Sequence, residues 1–402
     1  MLLLTTDPML EPCSKIEDVT IERESERNRA WAATMEGFEG SADDITVAHR
    51  DSAAAIAPTT QTGDPFEGAR QIREDRLRER LAEGSTFSSG AGDRVREEEP
   101  DEFRTAFERD RDRILHSSSF RRLAGKTQVF VFPEDHMRTR LTHALEVAQV
   151  ATGIARPVGL NTALTEAIAL GHDCGHGPGG HASEEALDPY VEGGFDHATW
   201  GADVSLLRLN LCRETLDGIR NHSWSRPAPT TPEGEVVSWA DRIAYVCHDF
   251  EDAASAGLVT EDELPLIVRE RCGVHRGEQL GSFINAMIRT IRETGVIGMD
   301  ASHAEALAAF RAFNYQTIYT RGAAIEQSNR VVDMLRGLVD YLAAHPEHIN
   351  EVEDAQKDMA NSPVTIRHAV EYVSGMTDRF ACRRAENWLG WDSSRLPHGI
   401  DR

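Results

Sequence analysis

The residue types best suited to binding a metal ion are concentrated between positions 140 and 184. His143 is followed by the adjacent pair His172 and Asp173, and a further acidic residue, Asp241, lies in the later segment SWADRIAYVCHDFEDA. Two imidazoles and two carboxylates balance the charge of a divalent ion, so this set suits the interior of a helical bundle. Neighbouring helical residues point about 100° apart, which lets His172 and Asp173 take adjacent positions on one ion. These residues predict one divalent-metal site and leave magnesium, manganese, iron and zinc open.

A second group has the acid and base types that hydrolysis requires. It consists of His176, His181, Glu184 and His197. A bound metal can lower the pKa of water and so supply hydroxide, and nearby imidazoles can transfer protons. His181 and Glu184 stand three residues apart at a predicted helix start, so the carboxylate can orient the imidazole. The alternative is that each is an ordinary hydrogen-bonded loop residue, but four such residues beside one His-Asp pair favour catalysis.

The helix around Asp241 carries a polar stripe with apolar residues on either side. The stripe consists of Asp241, Tyr245, His248 and Asp249, at positions i, i+4, i+7 and i+8. This spacing indicates a mostly buried helix with one face lining a pocket, and a solvated charged face is the alternative. Arg140 shares a helix face with His143, and its guanidinium suits a phosphate held at the metal. Arg121, Arg122 and Lys126 either add positive charge there or are solvated.

The elements that must position these residues are helices. Apolar spacing predicts helices through most of the chain after Thr105, so the predicted fold class is all-α, with one minor β segment at residues 128–132 (QVFVF). Residues 1–64 are predicted to be a flexible arm, and residues 65–395 one helical domain. Its metal-site core is expected at about 105–260 and a helical C-terminal part at 261–395. The GKT tripeptide at 125–127 is not a P-loop, because Phe120 occupies the position of the required first glycine.

Composition limits the classes of function. The 402 residues carry a formal net charge of −24, which disfavours general binding to nucleic acid or anionic membrane. A phosphorylated ligand must therefore be held by a local group of cations. The six cysteines form no C-x-x-C pair, which fits a reduced cytosol better than a disulfide framework. Without an evident signal peptide or long apolar run, we expect a soluble, cytoplasmic protein.

Several segments together resemble the HD-domain deoxynucleoside triphosphate triphosphohydrolases, specifically the bacterial dGTPase-like proteins. The similar segments are RDRILHSSSFRRLAGKTQVF, RTRLTHALEVAQ, EAIALGHDCGHGPGGHASEEAL, GGFDH and WADRIAYVCHDFEDAASAGL, with weaker similarity from FNYQTIY to GMTDRFA. The resemblance covers roughly residues 65–390. It implies an HD-domain helical bundle.

The resemblance also implies roles for individual residues. The metal set of the family falls on His143, His172, Asp173 and Asp241. Catalytic positions fall on His181 and Glu184, with His176 and His197 close to the scissile bond. Positions that touch the phosphates, the 3′-hydroxyl and the sugar in relatives fall on Gln128, Arg140, Tyr245 and Asp249.

The implied reaction is attack of metal-activated water on the α-phosphorus of a dNTP, giving a deoxynucleoside and inorganic triphosphate. Magnesium or manganese is the favoured cofactor, with iron or zinc as alternatives. The resemblance further implies a homo-oligomer, with a dNTP as a possible activator. Nucleic acid is a disfavoured partner and no membrane association is expected.

The chain departs from the family pattern at the glycine-rich loop, where Gly179 replaces a usual Phe, and this departure bears on the rate of turnover. The segment between GGFDH and GIRNHS is also shorter than in the family. One competing hypothesis is a different HD phosphohydrolase, acting on nucleoside monophosphates, cyclic dinucleotides or guanosine tetraphosphate. Another is a weakly active regulatory module that binds dNTPs.

Overall fold

A computed structural model of the chain describes residues 26–34, 37–40, 45–53, 56, 68–134, 136–349 and 359–399. The chain divides into two compact units, Met1–Pro65 and Phe66–Arg402. Much of the predicted arm at 1–64 lies outside the described residues, so its flexibility stays a prediction. The predicted subdivision of the helical part also stays a prediction.

The described part of the first unit holds one short helix and one hairpin. Helix α1 spans Glu26–Ala32, and strands β1 (Phe38–Glu39) and β2 (Thr46–Val47) pair antiparallel, with Phe38 opposite Val47. The Arg50 guanidinium lies 5.3 Å from the centre of the Phe38 ring. None of the predicted site residues belongs to this unit.

The second unit is built from helices. These are α2 (Ala69–Arg78), α3 (Ala106–His116), α4 (Ser118–Arg122), α5 (Arg140–Val158), α6 (Thr162–Gly171), α7 (Ala182–Leu187), α8 (His197–Trp200), α9 (Arg213–Asn221), α10 (Pro232–Ser255), α11 (Leu266–Cys272), α12 (Arg276–Thr294), α13 (Ala301–Asn314), α14 (Gly322–Ala344), α15 (Pro363–Ser374) and α16 (Asp378–Leu389). The predicted all-α class is confirmed. Among the described helices, none combines the length and the apolar character that crossing a bilayer requires.

The first core is the buried apolar cluster shared mainly by α3, α5, α6, α10, α12 and α13. Local sequence sets the ends of its central helices. The Asn161 side chain accepts a hydrogen bond from the Leu164 amide at the start of α6, and Thr231 does the same for Gly234 at the start of α10. Gly159, at φ 78°, ends α5 in the left-handed conformation. These caps fix where the long helices begin and end, and so which residues they present at their crossing.

The second core is a separate buried apolar cluster in which α7 and α8 pack with α14, α15 and α16. Leu187 of α7 and Trp200 of α8 are buried there against residues such as Val331, Leu335 and Val370. The elements that carry His181, Glu184 and His197 therefore depend on the C-terminal helices for their placement.

The predicted β segment at 128–132 is wrong. Residues 128–132 form bends, and the only β pairing at this place in the described chain is one antiparallel bridge between Thr127 and Thr139. Phe132 adopts φ 49°, a left-handed conformation that an extended strand does not allow, and Pro133 follows it. The β-favouring residues therefore form an irregular segment beside the candidate site.

Candidate functional site

The four predicted metal ligands meet where three helices approach one another. His143 lies in the first turn of α5, His172 and Asp173 follow α6, and Asp241 lies midway along α10. His143 Nε2 is 3.0 Å from Asp241 Oδ1. His172 Nε2 is 3.5 Å from Asp173 Oδ1 and 3.6 Å from Asp241 Oδ1. The structure therefore brings together the two imidazoles and two carboxylates singled out in the sequence.

The hydrogen bonding of His172 fits a bound cation. Its Nδ1 is 2.7 Å from the carbonyl oxygen of Ala169, which can only accept, so Nδ1 carries the proton. The other ring nitrogen, Nε2, then offers a lone pair, and it is buried without a hydrogen-bond partner among the described residues. Burial opposes ionisation of Asp241, but His143 and His172 outweigh it and lower the pKa of this carboxyl. A neutral imidazole beside an ionised carboxylate is a suitable donor set for a divalent ion.

Arg140 borders the metal-ligand group on the side of Asp173. It is buried and its Nη1 donates to Asp173 Oδ2 at 2.7 Å. Burial opposes ionisation of Asp173, but Arg140 leads the groups that hold the pKa of this carboxyl well below its usual range. The Nε and Nη2 groups of Arg140 have no hydrogen-bond acceptor among the described residues. A buried guanidinium with two unused donors suits an anionic ligand.

Glu184 pairs with His197 and not, as the sequence suggested, with His181. Glu184 Oε1 lies 2.5 Å from His197 Nδ1 and also accepts from the His197 backbone amide at 3.1 Å. Burial opposes both charges, but the contact raises the pKa of His197 and lowers that of Glu184 to about 2. Glu184 therefore pairs with a residue 13 positions further along the chain instead of with the expected i−3 neighbour.

His222 extends this pair, and sequence reasoning missed it. Its Nδ1 is 2.8 Å from the carbonyl oxygen of Ile219, so that nitrogen carries a proton, and its Nε2 lies 3.2 Å from His197 Nε2. Burial and neighbouring His172 lower the pKa of His222 to about 4, so it is neutral and its Nε2 accepts. His197 must then donate from both nitrogens, as an imidazolium between Glu184 and His222. A lone histidine at the end of α9 gave no signal of this role.

The remaining two histidines lie between the metal ligands and this pair. The His176 ring stacks on His197 with centroids 3.7 Å apart, and His176 Nε2 is 3.2 Å from Asp173 Oδ1. His181 is in edge contact with His176, with centroids 5.1 Å apart. His181 is open to solvent at the cavity, yet the surrounding protein and the charge of Arg140 lower its pKa to about 4. It is the acid–base residue most accessible to a ligand.

A cavity of about 450 Å³ opens beside these groups. Of the predicted site residues, its lining includes Gln128, Arg140, His143, Asp173, His176, His181, His197, Asp241, Tyr245 and Asp249. His172 and Glu184 are absent from the lining and lie behind it, in contact with lining residues. Arg121, Arg122 and Lys126 do not line it. The candidate metal ligands therefore lie at one wall of a pocket large enough for a small molecule.

The polar stripe of α10 is only partly as predicted. Asp241, Tyr245 and Asp249 line the cavity, whereas buried His248 turns towards Glu146, with Nδ1 3.1 Å from Oε2. Residues at i+7 and i+8 diverge by about 100°, so one of them leaves the stripe.

Two of the lining residues on α10 have partners on the α13 side of the cavity. The Tyr319 hydroxyl donates to Asp249 Oδ2 at 2.5 Å, and Arg311 Nε donates to the Tyr245 hydroxyl at 2.8 Å. Burial raises the pKa of Asp249 to about 7.

Arg242 and Trp224 form a cationic wall that sequence reasoning also missed. Arg242 follows Asp241 directly, lines the cavity, and its guanidinium lies 3.5 Å from the centre of the Trp224 ring. Trp224 is held in turn by edge contact with Trp239 and by donating from Nε1 to the Ser238 carbonyl. The described residues offer the Arg242 guanidinium no hydrogen-bond acceptor, so its N–H groups are available to a ligand.

The glycine-rich loop has a conformation that explains its departure from the family pattern. Gly179 and Gly180 adopt φ of 74° and 64°. A Cβ atom at Gly179 would lie 2.4 Å from Cγ1 of Val331 on α14, and one at Gly180 would lie 2.8 Å from Nη2 of Arg140. Neither position has room for a side chain, because Val331 of α14 and the Arg140 guanidinium approach the loop backbone directly.

Comparisons with known proteins agree with this geometry. Residues 140–246 match the family described as HD domain, and residues 297–387 match the family described as phosphohydrolase-associated domain. The first match contains the four metal-ligand candidates. The second contains all of α13, α14 and α15 and most of α16.

Curated relatives are similar over most of the chain. A protein of Caldanaerobacter subterraneus is 38% identical over 319 residues, covering 78% of this chain and 93% of the relative. Proteins of Clostridium perfringens and Desulfatibacillum aliphaticivorans are 38% and 39% identical, covering 77% and 72% of this chain and 94% and 89% of those proteins. All three are named deoxyguanosinetriphosphate triphosphohydrolase-like protein.

Proposed function

This chain belongs to the deoxyguanosinetriphosphate triphosphohydrolase-like family of HD-domain proteins, and we propose that it hydrolyses deoxynucleoside triphosphates at the α-phosphorus. The products would be a deoxynucleoside and intact inorganic triphosphate. The observation that carries the proposal is the meeting of His143, His172 and Asp241, with Asp173 beside His172, next to a cavity bordered by cations with unused donors.

The proposed metal ligands are His143, His172, Asp173 and Asp241. A divalent ion supplies Lewis acidity to water and to a phosphoryl oxygen when bound at such a site. The buried, unpartnered Nε2 of His172 and the ionised carboxyl of Asp241 support this assignment. We propose that the bound ion is magnesium or manganese. Iron and zinc bind to the same types of ligand, so a measurement of metal content should include them.

The triphosphate tail is proposed to lie between Arg140 and Arg242. Both guanidinium groups line the cavity, and both have N–H groups without acceptors among the described residues. The protein as a whole carries a net charge of −24, so these local cations must provide the attraction for an anionic substrate. Gln128, with a buried and unpartnered Oε1, and the pair Tyr245 and Asp249 are proposed to contact the sugar.

His181 is proposed to protonate the leaving 5′-oxygen. It is open to the cavity, whereas His197 is committed to Glu184 on one nitrogen and His222 on the other. Without substrate the pKa of His181 is about 4, so the group is neutral. A bound triphosphate adds negative charge, which favours the protonated form and raises this pKa towards the working pH. Glu184 and His197 would keep the glycine-rich loop in place and would balance the charge around His181.

Product analysis tests the proposal. Purified protein incubated with each dNTP and with a mixture, in manganese or magnesium, should release inorganic triphosphate in equal amounts with deoxynucleoside. Release of pyrophosphate or monophosphate would instead identify a different phosphohydrolase. Tight dNTP binding with negligible turnover in every mixture would identify a regulatory module. The mixture also tests activation by a second dNTP, and light scattering of the same samples tests the proposed homo-oligomer.

A further inference from the structure

The GKT tripeptide does not bind phosphate as a P-loop, but it has a well-defined place in the structure. Gly125, Lys126 and Thr127 pack against residues 374–378 at the junction of α15 and α16. A Cβ atom at Gly125 would lie 2.9 Å from the side chain of Thr377. This close approach brings the segment before Gln128 into direct contact with the C-terminal helices.

Asp378, the first residue of α16, is the centre of this contact. Its Oδ2 accepts from the Thr127 amide at 2.8 Å and from the Thr127 hydroxyl at 2.6 Å. Its Oδ1 accepts from the Gly179 amide at 2.8 Å. The carboxyl is buried, so these bonds form away from water and are strong for hydrogen bonds. One side chain thereby joins the Thr127–Gln128 segment to the glycine-rich loop.

Lys126 and Ser374 make a second group of hydrogen bonds in the same region. The buried ammonium of Lys126 donates to the backbone carbonyls of His176 and Ser374. The Ser374 hydroxyl accepts from Nε1 of Trp200, three residues after His197. Residues 374–378 therefore contact the glycine-rich loop and α8, two of the elements that carry the candidate acid–base residues.

We propose that Asp378 is a positioning residue for hydrolysis, because it fixes the separation between the segment bearing Gln128 and the loop bearing His176 and His181. It touches no lining side chain of the acid–base group directly and acts through the Thr127 and Gly179 backbone. The inference rests on the proposed function. Both carboxylate oxygens are needed as acceptors. An amide in the same place keeps an acceptor towards only one of the two partner sets, and its NH2 group faces the backbone amide of the other.

The test is Asp378→Asn, with Asp392→Asn as the matched control, since Asp392 is an exposed carboxylate in the same C-terminal region. For the best dNTP substrate, we expect Asp378→Asn to lower kcat by about 10- to 100-fold, the usual effect of a displacement of about 1 Å in a catalytic group. KM should change by less than about threefold, because the cationic wall is untouched. Metal content, measured by mass spectrometry, should equal that of the wild type.

Hydrogen–deuterium exchange gives a readout that does not need turnover. Peptides covering residues 174–182 should exchange faster in Asp378→Asn and not in Asp392→Asn. If the wild type releases no triphosphate, the proposed function fails and exchange alone decides on Asp378. Unchanged exchange, kcat within about twofold of wild type, or loss of metal would each overturn the inference.

A second pair of variants tests the inference in case Asp378→Asn folds poorly. Thr127→Ser keeps both hydrogen bonds to Asp378, whereas Thr127→Val loses the hydroxyl bond and keeps a similar volume. We expect the valine variant to lose kcat and the serine variant to retain it. Equal activity of the two variants would count against the inference in the same way.

Discussion

The metal-ligand group and the acid–base group lie side by side but are supported in different ways. The proposed metal ligands lie on or at the ends of α5, α6 and α10, helices whose apolar faces contribute to the first core. The acid–base residues lie on a glycine-rich loop and on α7 and α8, which are six and four residues long and pack in the second core. The first group is held by its own helices, and the second is held by the C-terminal helices. Metal binding and proton transfer should therefore be separable by mutation.

The largest effect is expected from Asp173→Ala, which removes a carboxylate from the metal group and the partner of Arg140. Turnover should fall by on the order of 10³-fold or more, because the ion's several kcal/mol of charge stabilisation is lost. Metal content should fall with it. Asp203→Ala, at an exposed surface position, is the control. A fully active Asp173→Ala variant with normal metal content would show that the metal-ligand assignment is wrong.

Glu184→Gln should break the acid–base group alone. We expect kcat to fall on the order of 100-fold, within the range that proton transfer contributes, because His197 loses its carboxylate partner. Metal content should stay at the wild-type level, in contrast to Asp173→Ala. Glu185→Gln, one residue along α7 and exposed, provides the matched control. Equal loss of metal in Glu184→Gln would show that the two groups are not separable.

Trp224→Ala should weaken substrate binding while sparing both groups. A cation–π contact is worth about 0.5–2 kcal/mol, so KM should rise by about 2- to 30-fold with kcat little changed. Trp224→Phe keeps a ring under Arg242 and should be closer to wild type. Inhibition by inorganic triphosphate should weaken in parallel with KM.

The same inhibition experiment separates two roles of the Trp224 ring. If the ring contacted the base instead of supporting Arg242, triphosphate inhibition would be unaffected. Trp388→Ala, which alters a tryptophan outside the cavity lining, controls for general effects of the truncation.

The last effect concerns stability, not turnover, and Asp249 on helix α10. Burial raises its pKa to about 7 in the folded protein, against about 3.9 in an unfolded chain. Between these values the folded state holds the extra proton, so this group makes the free energy of unfolding fall as pH rises from about 4 to about 7. Asp249→Asn should remove that part of the fall, and its stability relative to wild type should increase with pH by a few kcal/mol at most.

Urea unfolding of both proteins at several pH values measures the Asp249 effect. Asp262→Asn, at an exposed position, should follow the wild type. A constant difference between Asp249→Asn and wild type across this pH range would contradict the prediction.

The contrast between the two groups also explains what the sequence could predict. His143, His172, Asp173 and Asp241 could be grouped from residue type and from the resemblance to the HD-domain family, and each lies on or beside a regular helix. Tyr245 and Asp249 followed from the same periodicity. The all-α class followed from apolar spacing.

The individual hydrogen-bond pairings between residues far apart in the chain could not be predicted. Glu184 contacts His197 instead of His181, and His222 contacts His197 in turn. These contacts depend on the path of the backbone, which no local sequence pattern encodes. Thr127 and Asp378 are separated by 251 positions. The β segment at 128–132 failed for a related reason, since β-favouring residues need a neighbouring strand and none is present there among the described residues.

The close approach of Gly179 to Val331 has a consequence for protein engineering. A methyl group of Val331 occupies the space that any side chain at position 179 would need. A variant or chimera with any side chain at position 179 would therefore have no room for it unless Val331 moved. An exchange of this loop between proteins should therefore include α14, so that the loop and the helix that packs on it change together.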